Sequence, residues 1–234
     1  MNSNENFVTF LYLSSTKLSI AVFNKFSKKK IYFKEVLNSE DKKIIKYELI
    51  DYFLEQNIFE IEKKIKCFVQ NINLIIKSDE SLSTKISIKK NIYGKKLTKN
   101  MLIHLLNEAK EECKKTLNDK KIIHMVIENY YLDDINYSSF PENNNCNSFS
   151  LDINLISLSK SYINIMVNIL KKYQISVNRF LNFDYIEKFI NKNQEDLFET
   201  SMKILNGYDQ NEVLIVPKKA RIKGFFEKFF NFFD

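Results

Sequence analysis

Two groups of short β-rich runs follow one another along this chain. Each is interrupted by one long stretch of helical period, and that limits the fold to a mixed α+β kind. In the first group, runs at 7–13 and 17–23 are joined by Ser14, Ser15 and Thr16, which predicts a hairpin. Residues 31–37 predict a third strand. Ser39 is placed to cap a helix over 40–56, with Ile44, Ile45, Leu49, Tyr52 and Phe53 along one stripe. Residues 65–76 alternate loosely and predict a returning strand, with Cys67 as a small core residue within it.

The second group opens at 85–92, where Ile86 and Ile88 alternate with polar residues, and Gly94 sits in a turn. Thr98 caps a helix to about 117, with Leu102, Leu105, Leu106, Ala109 and Cys113 facing inward. A long strand is predicted over 121–132. The stretch 133–147 holds Pro141 and a run of asparagines and reads as a loop, and 149–158 reads as a strand. A helix then starts at Ser159 or Ser161 and runs to 172, with Tyr162, Ile165, Met166, Ile169 and Leu170 apolar. A strand over 175–183 and a helix over 185–190 come next. Residues 191–195 are a polar joint, 198–205 predict a short helix ended by Gly207, and the apolar run 213–216 stops at Pro217.

The last residues differ in kind. Ile222, Phe225, Phe226, Phe229, Phe230 and Phe233 recur at steps of three and four, one face of a helix. Lys218, Lys219, Arg221, Lys223 and Lys228 supply five cations against the two acids Glu227 and Asp234, so this end carries net +3 of the chain's +7. Such a helix spans about 20 Å, too short for a hydrocarbon core of about 30 Å. It is long enough to lie in a membrane surface, phenylalanines down and cations among anionic headgroups. Two other placements fit the same pattern: docked on the protein's own core, or in a partner's groove.

Composition narrows the function. A hydrophobic fraction of 44% and a charged fraction of 28% are those of a soluble globular protein, large enough for one or two domains. The cations outside the tail are scattered, unlike the interleaved basic face of a nucleic-acid binder. Cys67, Cys113 and Cys146 have no metal-ligand spacing, and an odd count suggests a reducing cytosol rather than a disulfide framework. Neither a signal peptide nor a transmembrane run is indicated. With three glycines in all, no glycine-rich loop is available to cradle a phosphate. His104 and His124 lack metal-set partners and read as structural, and Asp133 with Asp134 reads as a strand-ending turn. No nucleophile stands with its base. The expectation is a protein that is not an enzyme and holds no cofactor or metal.

Four segments in this order resemble FtsA, the actin-like membrane adaptor of the bacterial FtsZ division ring. Residues 7–22 (FVTFLYLSSTKLSIAV) sit where that family has its opening hairpin, and 97–109 (LTKNMLIHLLNEA) look like the helix opening its inserted subdomain. Residues 122–133 (IIHMVIENYYLD) are similar to the next strand. Residues 163–183 (INIMVNILKKYQISVNRFLNF) are similar to the helix and strand that return to the first subdomain.

The resemblance implies a partial actin-like (ribonuclease H-like) subdomain over 1–79 and 158–190, and a strand-helix-strand-strand insertion over 80–157. A linker with a short helix over 191–217 and a membrane-targeting helix over 218–234 would follow. It further implies attachment to inner-leaflet lipids at the division site, contact with division proteins, and self-association through the insertion. Where the family has an Asp-Ile-Gly-Thr phosphate loop this chain reads Tyr12, Leu13, Ser14, Ser15, and the family's proline after the histidine strand is Ile127. The second actin-like half, with the other nucleotide loops and the contact for FtsZ, has no counterpart, so ATP binding does not carry over, while FtsZ stays an open partner among the division proteins. The alternatives are an actin-like adaptor of a type IV pilus or secretion system and an ATP-binding actin-like protein.

Overall fold

This computed structural model describes residues 6–38, 47–190 and 196–213. The hairpin forms as expected: β1 (Phe7–Leu13) pairs antiparallel with β2 (Lys17–Asn24), and β2 with β3 (Lys30–Leu37). β1 also pairs in parallel with β4 (Asn71–Ile76), and β4 in parallel with β9 (Ser176–Asn182), so the sheet order is β3-β2-β1-β4-β9. Parallel neighbours need long crossovers. The first contains α1 (Tyr47–Ile65) and the second ends in α3 (Lys160–Lys172).

Both helices cover one face of the sheet. Leu54 and Ile61 of α1 and Met166 and Leu170 of α3 bury against Leu11, Ile20 and Leu74. The other face is covered by α4 (Phe183–Glu187) and α5 (Leu197–Leu205), through Tyr185, Ile186, Phe198, Met202 and Ile204 against Phe10, Phe23 and Ile75. The central strands are thus buried on both faces, which explains their nearly unbroken apolar runs. Each fully buried Leu, Ile or Phe contributes about 1.5–3 kcal/mol through area removed from water.

A second sheet, β5-β8-β6-β7, lies between β4 and α3 in sequence. It comprises β5 (Ser81–Asn91), β6 (Lys120–Leu132), β7 (Ile135–Tyr137) and β8 (Ser148–Ser159), all antiparallel. α2 (Lys99–Thr116) packs Leu105, Leu106, Ala109 and Cys113 against Met125, Ile127, Leu151 and Ile153. The insertion is not a hanging module. Along β8, Leu155 lies in the inserted core, Ile156 in the α4–α5 core and Leu158 in the α1–α3 core.

The caps follow the expected chemistry. Thr98 Oγ1 accepts from the Met101 N–H at 3.4 Å; of the two serines offered for α3, Ser159 is the cap, accepting from the Tyr162 N–H at 3.4 Å.

Several expected boundaries move. The helix placed over 40–56 runs to Ile65, and its residues before 47 lie outside the described ones. Ile58, Ile61 and Ile65 continue the buried stripe begun by Ile50, Phe53 and Leu54, whereas Tyr52 of the expected stripe is 61% exposed. The returning strand accordingly starts at Asn71, and Cys67 falls in the bend before it, half-buried against the core. The asparagine-rich loop contains the short strand β7. Its turn places Asp133 and Asp134 at φ 46° and 67°, the left-handed pair that a tight hairpin demands. The helix expected over 185–190 is a single turn, Phe183–Glu187.

The end of α5 depends on glycine. Tyr208 N–H reaches the Lys203 carbonyl at 3.1 Å and Gly207 N–H the Ile204 carbonyl at 3.0 Å, a Schellman pair with Gly207 at φ +80°. An alanine Cβ would meet nothing within 4 Å there, so its cost is the backbone conformation alone. Gly207→Ala is therefore expected to lose about 1–2 kcal/mol, read as a lowered urea midpoint with unchanged slope.

Candidate functional site

The β1–β2 turn is where the resemblance to FtsA sets a phosphate loop, and its polar groups are already used. Ser14 N–H donates to the Lys17 carbonyl at 3.0 Å; Ser14 Oγ donates to the same carbonyl at 3.1 Å and accepts the Lys17 N–H at 3.0 Å. Beside the turn is a cavity of about 240 Å³, with Ser14, Ser15, Lys77, Asp79, Glu80 and Tyr162 among its walls. Two of those walls are carboxylates, and the Lys77 ammonium lies 4.3 Å from the Phe183 ring centroid. Burial, with Glu80 adding to it, pushes the Tyr162 phenol well above its ordinary range.

Tyr12 is buried, its ring 5.5 Å from that of Phe183, and burial raises its phenol too, so it offers no anionic oxygen to a cation. The residues present do not fit a nucleotide's phosphates or their magnesium ion.

A different cluster joins the two sheets. His124 of β6 is fully buried and its Nε2 accepts the Asn182 N–H at 2.9 Å. The proton of the neutral ring is therefore on Nδ1, which donates to Glu212 Oε1 at 2.6 Å. Arg179 of β9 pairs with the same carboxylate oxygen. The Glu212 side chain is only 2% exposed, and its two partners come from different sheets.

Around this centre, the Tyr185 ring lies 4.5 Å from the imidazole and its hydroxyl donates to Asp209 at 2.7 Å. Residues 211–213 run beside β6: Ile127 N–H donates to the Asn211 carbonyl at 3.0 Å and Val213 N–H to the Met125 carbonyl at 2.8 Å, an antiparallel bridge. The stretch expected as a linker is, over 197–213, helix and strap packed on the body.

None of the residues assigned to the membrane face, Lys218, Lys219, Arg221, Ile222, Lys223, Phe225, Phe226, Lys228, Phe229, Phe230 and Phe233, is among the described ones. His104 is on the exposed face of α2, 2.9 Å from Glu108, apart from the junction. Asp133 accepts the Asn147 N–H at 2.9 Å and the Ser148 N–H at 2.8 Å, closing its turn. Among the described residues no group of three or more His, Cys, Asp or Glu is gathered for a metal, and no helix is long and apolar enough to cross a membrane. Sequence reasoning read His124 as structural and did not single out Glu212 or Arg179. The signal available was one acid opening an apolar run, Glu212 before Val213 to Val216.

No family model and no curated protein matches the sequence. Solved structures do. A PilM-PilN type IV pilus biogenesis complex matches with a TM-score of 0.50 at 7% identity, over 78% of this chain and 49% of that one. The cytoplasmic domain of EpsL, an inner membrane component of the type II secretion system of Vibrio cholerae, gives 0.38 at 14% over 77% and 57%. A protein of Bacteroides thetaiotaomicron with an actin-like ATPase fold gives 0.37 at 14% over 80% and 56%. The likeness to the PilM-PilN structure is one of fold. This chain spans about half the length of the structures it matches.

The buried imidazole has a pH consequence. Burial holds His124 below the ordinary histidine range; the Glu212 hydrogen bond and charge oppose this, and Arg179 adds to it. The unfolded chain takes up this proton near pH 6.5, the folded one only at lower pH. His124 thus favours folding fully above about pH 6.5, and this is lost as pH falls through the window below it, at up to about 1.4 kcal/mol per pH unit. Urea midpoints between pH 7.5 and 5.5 should fall more steeply for the natural protein than for His124→Asn, which keeps a donor near Nδ1 and cannot titrate.

Proposed function

We propose that this protein is an actin-like adaptor that attaches to a membrane through residues 218–234 and joins a membrane-bound machine, working without nucleotide. The observation that carries the reading is the partial actin-like body continuing, five residues after its last strap residue, into an amphipathic stretch edged with cations. The closed Ser14 turn and the carboxylates beside it support the nucleotide-free part.

The machine is of the pilus or secretion kind. This is supported by likeness of fold to the PilM-PilN complex, whose PilM is joined to a partner in pilus biogenesis. A second reading, a division adaptor of the FtsA kind that contacts division proteins, is favoured by the collinear sequence segments and the phenylalanine-rich end. Pull-down from native membranes separates them: pilus or secretion components support the first reading, and division proteins replace it with the second. An ATP titration that saturates would overturn the nucleotide-free part.

The strength of attachment can be bounded. Each buried phenylalanine contributes at most about 1.5–3 kcal/mol, before the cost of ordering the helix, and each nearby cation about 1 kcal/mol. One copy therefore binds reversibly, and several copies on one assembly bind far more tightly without new contacts. In flotation with anionic vesicles, the whole chain should rise with the lipid and a chain ending at residue 217 should stay behind. Phe226→Glu with Phe229→Glu should release the protein at unchanged thermal stability. Equal flotation of the whole and shortened chains would remove the anchor; lost stability instead of lost flotation would put this helix on the protein's own core.

A further inference from the structure

The strap 208–213 is attached in an unusual way. None of its six residues is buried as a whole, so little apolar surface holds it. Beyond the Tyr208 contacts with Lys203 and Phe189 and the packing of Val213 on the inserted core, it is held by two backbone hydrogen bonds to β6, the Tyr185–Asp209 and Tyr130–Asn211 contacts at 2.7 and 3.4 Å, and the Glu212 carboxylate. The Glu212 side chain is only 2% exposed, and it ties the strap to both sheets at once: to His124 of the insertion and to Arg179 of the five-stranded sheet. The strap also supplies the antiparallel neighbour at Val126, on the side of β6 opposite its Asn154 partner in β8. Removing it would uncover hydrogen-bonding groups of β6 and leave Arg179 and His124 without their shared acceptor.

We propose that residues 208–213 are a releasable clasp, locked by Glu212, through which engagement of the segment after 213 is passed to the junction between the two sheets. While the clasp is closed, the shared carboxylate adds a second tie between the insertion and β9 to the direct His124–Asn182 hydrogen bond. When it opens, the β6 edge is freed and the two sheets lose that tie. The clasp rests on the geometry alone; its coupling to the tail rests on the membrane reading above. A tail drawn to a surface acts on the clasp, to which it is joined through residues 214–217.

Hydrogen exchange on the whole chain tests both parts. In Glu212→Ala, the amides of Ile127 and Val213 should exchange at least tenfold faster, while those of Leu11, Ile20 and Leu74 keep their natural rates. The isosteric Glu212→Gln, which retains an acceptor oxygen, should give a smaller rise at the same two amides. It decides the question if the alanine variant fails to fold. Unchanged exchange at Ile127 and Val213, or an equal rise in every strand, overturns the clasp.

Adding anionic vesicles to the natural protein should accelerate the same two amides. Flotation with Ile127 and Val213 unmoved overturns the coupling and leaves the membrane reading intact. Absence of flotation overturns the membrane reading and the coupling together, and leaves the clasp to the variants.

Discussion

β4 pairs in parallel with both of its neighbours, and the rest of the architecture follows from that. A parallel pair cannot be closed by a tight turn, so the chain must leave the sheet and return from the same end. The first return is made by α1 and the second by α3, and both lie on one face, where Leu54, Ile61, Met166 and Leu170 share a core. The inserted sheet occupies the outward part of the second crossover. Its first and last strands meet where they leave the body: Ser81 pairs with Leu158, and Asn182 Nδ2 donates to Ser81 Oγ at 3.2 Å. The insertion is therefore fixed at its root by the same strands that make the five-stranded sheet.

The buried charge at that root does geometric work. An ion pair taken out of water is weak evidence for stability, since well-packed apolar residues of the same volume do as well or better. Here the Glu212 carboxylate receives an imidazole N–H from one sheet and a guanidinium from the other. The imidazole is itself held by the Asn182 N–H, so its tautomer and its tilt are both fixed. A carboxylate satisfied in this way has one place to sit, and it sets the two sheets at one relation rather than a range of them.

Much of this was written locally. The hairpin, the Thr98 and Ser159 caps, the Gly207 stop and the alternation of β5 each depend on residues within a few positions, so short-range patterns reveal them. The misread part of α1 depends on tertiary context. Glu55, Gln56 and Asn57 look like the end of a helix, yet Asn57 is buried, donating to the Phe53 carbonyl at 2.7 Å and accepting from the Tyr32 hydroxyl at 2.6 Å. β7 is three residues long, below what alternation can signal. The junction was invisible for a different reason: Glu212 meets Arg179 and His124 across 33 and 88 positions of chain, and no local pattern encodes such a meeting.

Chain geometry then limits how a body of this kind can stand on a membrane. From Val213, whose N–H is bonded to Met125 of β6, to Lys218 is five residues, and a fully extended chain advances at most about 3.3–3.6 Å per residue. A surface gripped from Lys218 onward thus lies within roughly 17 Å of the β6 edge while the clasp is closed. β3, on the far side of the five-stranded sheet, is four strand spacings from β9, about 19 Å at about 4.8 Å each. A tail bound to lipid would therefore keep the β6 edge within that reach of the headgroups, whereas the β3 edge can stand further off.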